Sequence, residues 1–171
     1  DFISKYYPSP ADLSKSLKKR TDSDSELIIE PSLDQPTSLL VFKTVSEPHV
    51  GELSFFRVYS GSVKSGMDLK NTSRNSSERL GQIFTMNGKH RKEAGILNAG
   101  DIGAVVKLKN THTGDTLCDP KLNIEIQKIN FPPPSIHEAV VTKSKGDEEK
   151  IATGLATLHE EDPTFVYHVD S

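Results

Sequence analysis

Six side chains combine a cation or an aromatic hydroxyl with a position beside a turn: Arg57, Tyr59, Lys64, Lys89, His90 and Arg91. Such residues suit contact with an RNA backbone. Cations neutralise phosphates, and a tyrosine stacks on a base or bonds a ribose 2′-OH. Arg57 and Tyr59 end a β-type run, Lys64 lies in the Ser60–Gly66 turn, and Lys89 to Lys92 follow the dipeptide Asn87-Gly88. A solvated strand surface and a solvated loop would carry the same residue types, so both readings are open at this point. No catalytic set accompanies them. The chain has no GxxxxGK phosphate loop, no HExxH and no GxSxG. The six histidines are scattered, without the short pairing that seats a metal, so no metal site is expected. The single cysteine, Cys118, excludes an intramolecular disulfide and reads as a small packed apolar residue. Asn71-Thr72-Ser73 and Asn75-Ser76-Ser77 match the glycosylation sequon but read as unmodified loop residues. Glu160-Glu161-Asp162, at a helix end, reads as solvated surface.

The basic residues stand in the only net-positive stretch of an acidic chain. The formal net charge is −3 over 171 residues. Residues 37–131 carry thirteen Lys/Arg against nine Asp/Glu, whereas residues 132–171 carry three against eight. A basic module facing a polyanion and joined to an acidic segment is one reading of that split. With 34% hydrophobic and 26% charged residues, the composition is polar but globular. No run approaches the roughly 18 apolar residues of a membrane span. Neither an initiator Met nor a signal peptide is present. Together these suggest a cytoplasmic, monomeric chain without a membrane partner, cut from a longer protein that preceded Asp1.

The elements that must hold these residues are mostly strands. Residues 1–36 read as an irregular linker, broken by Tyr7-Pro8-Ser9-Pro10 and a polar loop at 21–25. From 37 to 131 short β-type runs alternate with Gly/Asn turns. They lie at Leu39–Val45, Gly51–Ser60, Met67–Asn71, Glu78–Met86, Ile102–Leu108 and Asn123–Ile129. Six or seven such strands predict a β-barrel. Leu53, Phe55, Arg57 and Tyr59 share one face of the second run, with Phe56 and Val58 on the other. Phe131-Pro132-Pro133-Pro134 is a stiff linker. Beyond it, Ile136–Thr142 reads as a strand, Ser144 and Asp147 as a capping box, and Ile151, Leu155 and Leu158 as one face of a helix. Asp162-Pro163 ends that helix and Thr164–Val169 reads as another strand. Residues 132–171 thus predict the first β-α-β half of a ferredoxin-like domain.

Several of these words resemble bacterial elongation factor G. Tyr7-Pro8-Ser9-Pro10, Glu47-Pro48-His49-Val50-Gly51, Arg57-Val58-Tyr59-Ser60-Gly61, Asn98 to Val106 and Thr113 to Leu117 are similar to that factor's second domain. Asp147-Glu148-Glu149-Lys150 through Phe165 looks like the start of its third. The resemblance implies a translation-factor-type barrel followed by a partial α+β domain, from a ribosome-dependent GTPase that moves tRNA and mRNA. It implies GTP and Mg²⁺ in a preceding GTP-binding domain, and no catalytic residue or cofactor here. It implies small-subunit ribosomal RNA as the barrel's partner, which favours the RNA reading of Arg57, Tyr59, Lys64, Lys89, His90 and Arg91. Where the family has Pro-Lys-Thr-Lys this chain has Thr142-Lys143-Ser144-Lys145, Gly146 and Gly154 weaken the helix, and Asn71–Ser77 is rich in Ser and Asn. These departures keep a recycling or ribosome-protection paralogue as an alternative. From another class, so does a stand-alone ligand-binding barrel.

Overall fold

Alternation of side chains across two long strands sets the architecture. In β2 (Ser38–Glu47) and β3 (Gly51–Ser60), Leu39, Val41, Phe56 and Val58 are fully buried in one cluster. The computed structural model describes residues 2–10, 12, 19–20, 29–47, 50–142, 144 and 146–169. Among these, α1 (Phe2–Tyr6) comes first and β1 (Lys19–Arg20) precedes β2. After β3 follow β4 (Ser62–Lys64), β5 (Asp68–Asn71), β6 (Ser76–Arg79), β7 (Ile83–Asn87) and β8 (His90–Glu93). Then come β9 (Ile96–Asn98), β10 (Ile102–Val106), β11 (Thr116–Cys118), β12 (Glu125–Ile126) and α2 (Glu148–Glu161).

Eight strands form one sheet in the order β6-β5-β11-β2-β3-β10-β7-β8, with β4-β9 and β1-β12 as separate pairs. The sheet curls until its two sides meet. Gly66 and Met67, just ahead of β5, exchange backbone hydrogen bonds with Leu80, and the Ile83 amide of β7 donates to Ser65 Oγ. The main core accordingly draws Leu69 from β5, Ile83 from β7, Val63 from β4 and Leu97 from β9 around Phe56. This is the expected barrel. Its strands are shorter and more numerous than the six or seven expected. Leu80-Gly81-Gln82 splits the run Glu78–Met86 in two, because Leu80 turns into the core and bonds to Met67 instead of continuing the ladder. β11 hides behind the Thr113–Asp115 turn, and β4, β8 and β9 are short pairs that alternation over four residues cannot flag.

A second, smaller core covers the outside of β2 and β11. Leu40 and Cys118 point away from the barrel interior into it, joined by Ile29, Ile124 and Ile126, with Tyr59 packed against its edge. Parts of the irregular first 36 residues are therefore fastened to the barrel. Ile29 lies in this core and β1 pairs with β12. The backbone near Gln35 also passes so close to Gly61 that a Cβ there would lie 2.6 Å from the Gln35 carbonyl oxygen. Gly61 has φ +66, so both conformation and space require glycine. The expected loop at 21–25, with Leu27 and Ile28, lies outside the described residues, as do Pro48, His49, Lys143 and Lys145.

A buried polar network holds the loop between β10 and β11. Glu78 accepts from the Asn110 amide at 2.6 Å, the Thr111 hydroxyl at 3.0 Å and the Lys109 amide at 3.3 Å. Asn71 Nδ2 donates to Thr111 Oγ1 and to Asp115 Oδ2, and Arg74 Nε closes on the same Asp115 oxygen at 2.7 Å. Asn71–Ser77, which reads as turn chemistry, is thus half structural. Asn71 is fully buried, and Asn75 takes the left-handed conformation at φ 52.

Residues 1–128 form one compact unit and residues 129–171 another. The second unit contains α2, with Asp147 ahead of it in helical conformation and making no side-chain cap. The capping box is therefore not formed. Ser144 offers its backbone oxygen to the Asp147 amide, and Asp147 pairs with Lys150 instead. The helix stops at Asp162, whose carboxylate accepts from the hydroxyl and then the amide of Thr164. Those bonds hold its carboxyl below the usual aspartate range. The strands expected at 136–142 and 164–169 are absent from the described residues. In a split β-α-β unit the two strands pair with other strands of the sheet and not with each other. Without such partners their backbone forms no ladder.

Candidate functional site

Residues paired directly across strands, and residues two apart on one strand, share a face of the sheet. Ala104 of β10 pairs with both Phe55 and Phe84, and Ile102 pairs with Arg57. Across the β7–β8 hairpin, Phe84 faces Glu93 and Met86 faces Arg91. Lys43 faces Phe55 from β2. Because Phe56, Val58, Ile83 and Val105 are the core residues of these strands, the alternate set points outward. One outer face of β2-β3-β10-β7-β8 therefore carries Phe55, Arg57, Tyr59, Phe84, Ile102 and Arg91.

Two arginines on this face lie over aromatic rings. The Arg57 guanidinium carbon is 5.8 Å from the Tyr59 ring centre, and that of Arg91 is 5.9 Å from the Phe84 ring centre. A cation within about 6 Å of a ring centre is attracted by the ring's quadrupole, which limits the swing of the long side chain. Arg91 also reaches Glu47, at a loose 3.9 Å with both side chains about a third exposed. Phe42 and Phe55 tilt against each other with ring centres 6.4 Å apart. Phe42, Phe55, Arg57, Tyr59 and Phe84 are half-buried, while Lys43 is exposed and Ile102 is 54% exposed.

The sequence-derived residues divide into three groups. Arg57 and Tyr59 sit together on β3. Lys89 occupies the turn of the β7–β8 hairpin, with His90 and Arg91 after it on β8. His90 pairs with Asn87 and so has the opposite facing to Arg91. Lys64 ends β4, paired with Ile96 of β9. No hydrogen bond, ion pair or ring contact joins these groups to one another among the described residues. The hairpin itself differs by one residue from its sequence signal. The turn is Gly88-Lys89, with positive φ at Gly88 and not at Asn87, as in a type II′ turn. Sequence reasoning missed Phe84, Met86 and Ile102. The alternation Phe84-Thr85-Met86 was visible, but its outward facing follows only from the pairing with Ala104.

The resemblance to a GTPase raises the question whether these residues could seat a nucleotide. The N-terminal turn of α2, where a phosphate would profit from the helix dipole, begins Asp147-Glu148-Glu149. Three carboxylates there oppose an anion. No group of three His, Cys, Asp or Glu among the described residues is placed to hold a metal ion. Neither the α2 N-terminus nor a carboxylate cluster among the described residues offers GTP and its Mg²⁺ a seat. Among the described residues no helix is long and apolar enough to cross a membrane.

Comparison with known proteins agrees with this architecture. The family profile "Elongation factor G domain 2" matches residues 36–120, and "Elongation Factor G, domain III" matches residues 131–171. A crystal structure from Thermus thermophilus superposes with a TM-score of 0.74 at 25% identity, covering 95% of this chain and 22% of that one. The chain thus spans about a fifth of that relative's length. Two profiles of one factor, in order, cover about three quarters of the residues on a barrel of the matching class. The chain belongs to the elongation factor G family, as a segment carrying domain 2 and domain III sequence.

Proposed function

We propose that this chain is the ribosome-docking part of an elongation-factor-G-like translational GTPase that acts in the translocation step of protein synthesis. The observation that carries this reading is the order of domain 2 and domain III sequence on one chain. In it the barrel lies against small-subunit ribosomal RNA through Arg57, Tyr59, Lys64, Lys89, His90 and Arg91. These residues supply binding and no chemistry of their own. GTP and Mg²⁺ belong to a separate domain of the same protein, and the site of action is the cytoplasm. The basic residues come from the barrel's β3, β4 and β7–β8 hairpin, so strands or the turn between two strands carry each of them.

The reading is tested by titrating the 171-residue chain against small ribosomal subunits over a salt series. Replacing Arg57 and Lys89 with Ala should weaken binding and flatten the dependence on salt. The slope loss should be about one per lost phosphate contact. Wild-type affinity and slope in a folded double variant would overturn the proposed surface.

A further inference from the structure

We infer that the outer face of β2-β3-β10-β7-β8 is a stacking platform for unpaired nucleotides, and not only a set of cations for the phosphates of a helix. The inference rests on the RNA reading above and names the class of RNA it takes. The observation behind it is a juxtaposition that strand pairing creates. Phe55, Tyr59 and Phe84 stand half-buried on one sheet face, Tyr59 at the edge of the second core, with Lys43, Arg57 and Arg91 among them. A helical RNA buries its base faces in its own stack, so it has little use for outward-facing rings. An unpaired strand offers bases that stack on aromatic rings or guanidinium planes, and sheets with outward aromatics bind single strands in this way.

The charges on the face suit a polyanion. Lys43 pairs with Phe55, Arg57 lies over Tyr59 and Arg91 over Phe84, so each ring has a cation beside it. Bases on the rings would bring their phosphates to these cations. Two carboxylates also face this region. Glu93 pairs with Phe84, and Glu47 holds Arg91 at 3.9 Å. That distance is long for a charge-assisted bond. Arg91 can exchange Glu47 for a phosphate at small cost, and Glu47→Gln should tighten binding by removing the competitor.

The experiment compares a single-stranded oligoribonucleotide with an RNA duplex of the same length, bound to the 171-residue chain and followed by fluorescence anisotropy. The single strand should bind at least about tenfold tighter. Phe84→Leu, which keeps an apolar side chain against the sheet, should weaken single-strand binding by about tenfold and leave the salt slope unchanged. Phe84→Tyr should restore it, and Phe55→Leu is the parallel case should Phe84→Leu melt early. Equal affinity for duplex and single strand, or full affinity in both folded Leu variants, overturns the platform. If Arg57→Ala still weakens binding to ribosomal subunits, the RNA reading survives that outcome. If neither RNA form binds, and only an acidic protein partner is captured by this face, platform and RNA reading fall together.

Discussion

Glu78 shows most clearly how one residue holds the barrel in shape. It is a carboxylate with about 1% exposure, in a position where an unpaired charge would be prohibitive. Three donors from consecutive residues of the β10–β11 loop converge on it, two of them backbone amides. Those amides have no ladder to join, because Lys107 takes φ 60 and turns the chain out of β10. Glu78→Ala should therefore leave two buried N–H groups and the Thr111 hydroxyl without their acceptor, costing about 3 kcal/mol or more. Glu78→Gln keeps one acceptor oxygen for Asn110 and Thr111 and should cost about 1 kcal/mol. Urea unfolding measures both, as a fall in midpoint at unchanged slope. An Ala variant within about 0.5 kcal/mol of wild type would mean that the loop is held by other contacts. Nothing in the local sequence Ser76-Ser77-Glu78-Arg79 distinguishes this glutamate from a solvated one. Its burial depends on a loop some thirty residues away.

At the scale of elements, strands and helix differ in what supports them. β3 is paired on both sides, by β2 and β10, and contributes Phe56 and Val58 to the core. In α2 none of the residues is buried, and its apolar positions Ile151 and Leu155 are only half-covered. Its first turn is favoured by Glu148 and Glu149, but Gly154 lies in its middle and the capping box is not made. Hydrogen exchange should therefore find the amides of Ile151–Leu158 exchanging orders of magnitude faster than those of Ile102–Val106. Equal protection of the two segments would contradict this. The sequence foretold β3 to the residue, because ten residues of β-type pattern are bounded by Gly51 and Gly61. It did not foretell β11, since three residues beside a turn give no period. Nor did it foretell the outward set of Phe84, Met86 and Ile102. Their facing is a property of pairing between strands far apart in sequence, whereas the facing of Arg57 and Tyr59 follows from β3 alone.

At the scale of the molecule, both hydrophobic cores of the described residues lie within residues 1–128. The main core runs from Leu39 to Leu117 and the second from Ile29 to Ile126. The sheet closes through Gly66, Met67 and Leu80, and β12 ends the last strand pair before Lys128. By contrast, residues 129–171 expose Ile136, Val140, Val141 and Val169, each at least 66%. Burial of apolar surface is what offsets conformational entropy, at about 25 cal/mol per Å². The barrel has two cores to supply it, and the second unit has no buried residue among those described. Two transitions follow, a cooperative one for the barrel and a broad, weak one for the remainder. A chain ending at Lys128 should therefore unfold cooperatively, with a melting temperature within about 3 °C of the barrel transition in the whole chain. Calorimetry of both chains, with near-ultraviolet circular dichroism reporting the barrel tyrosine and phenylalanines, measures this. A shortened chain that melts more than about 8 °C earlier, or without a cooperative transition, would show that residues beyond Lys128 supply part of the barrel's core. The residues proposed to face RNA all lie before Lys128, so on that proposal the same shortened chain should retain the affinity of the whole for small ribosomal subunits.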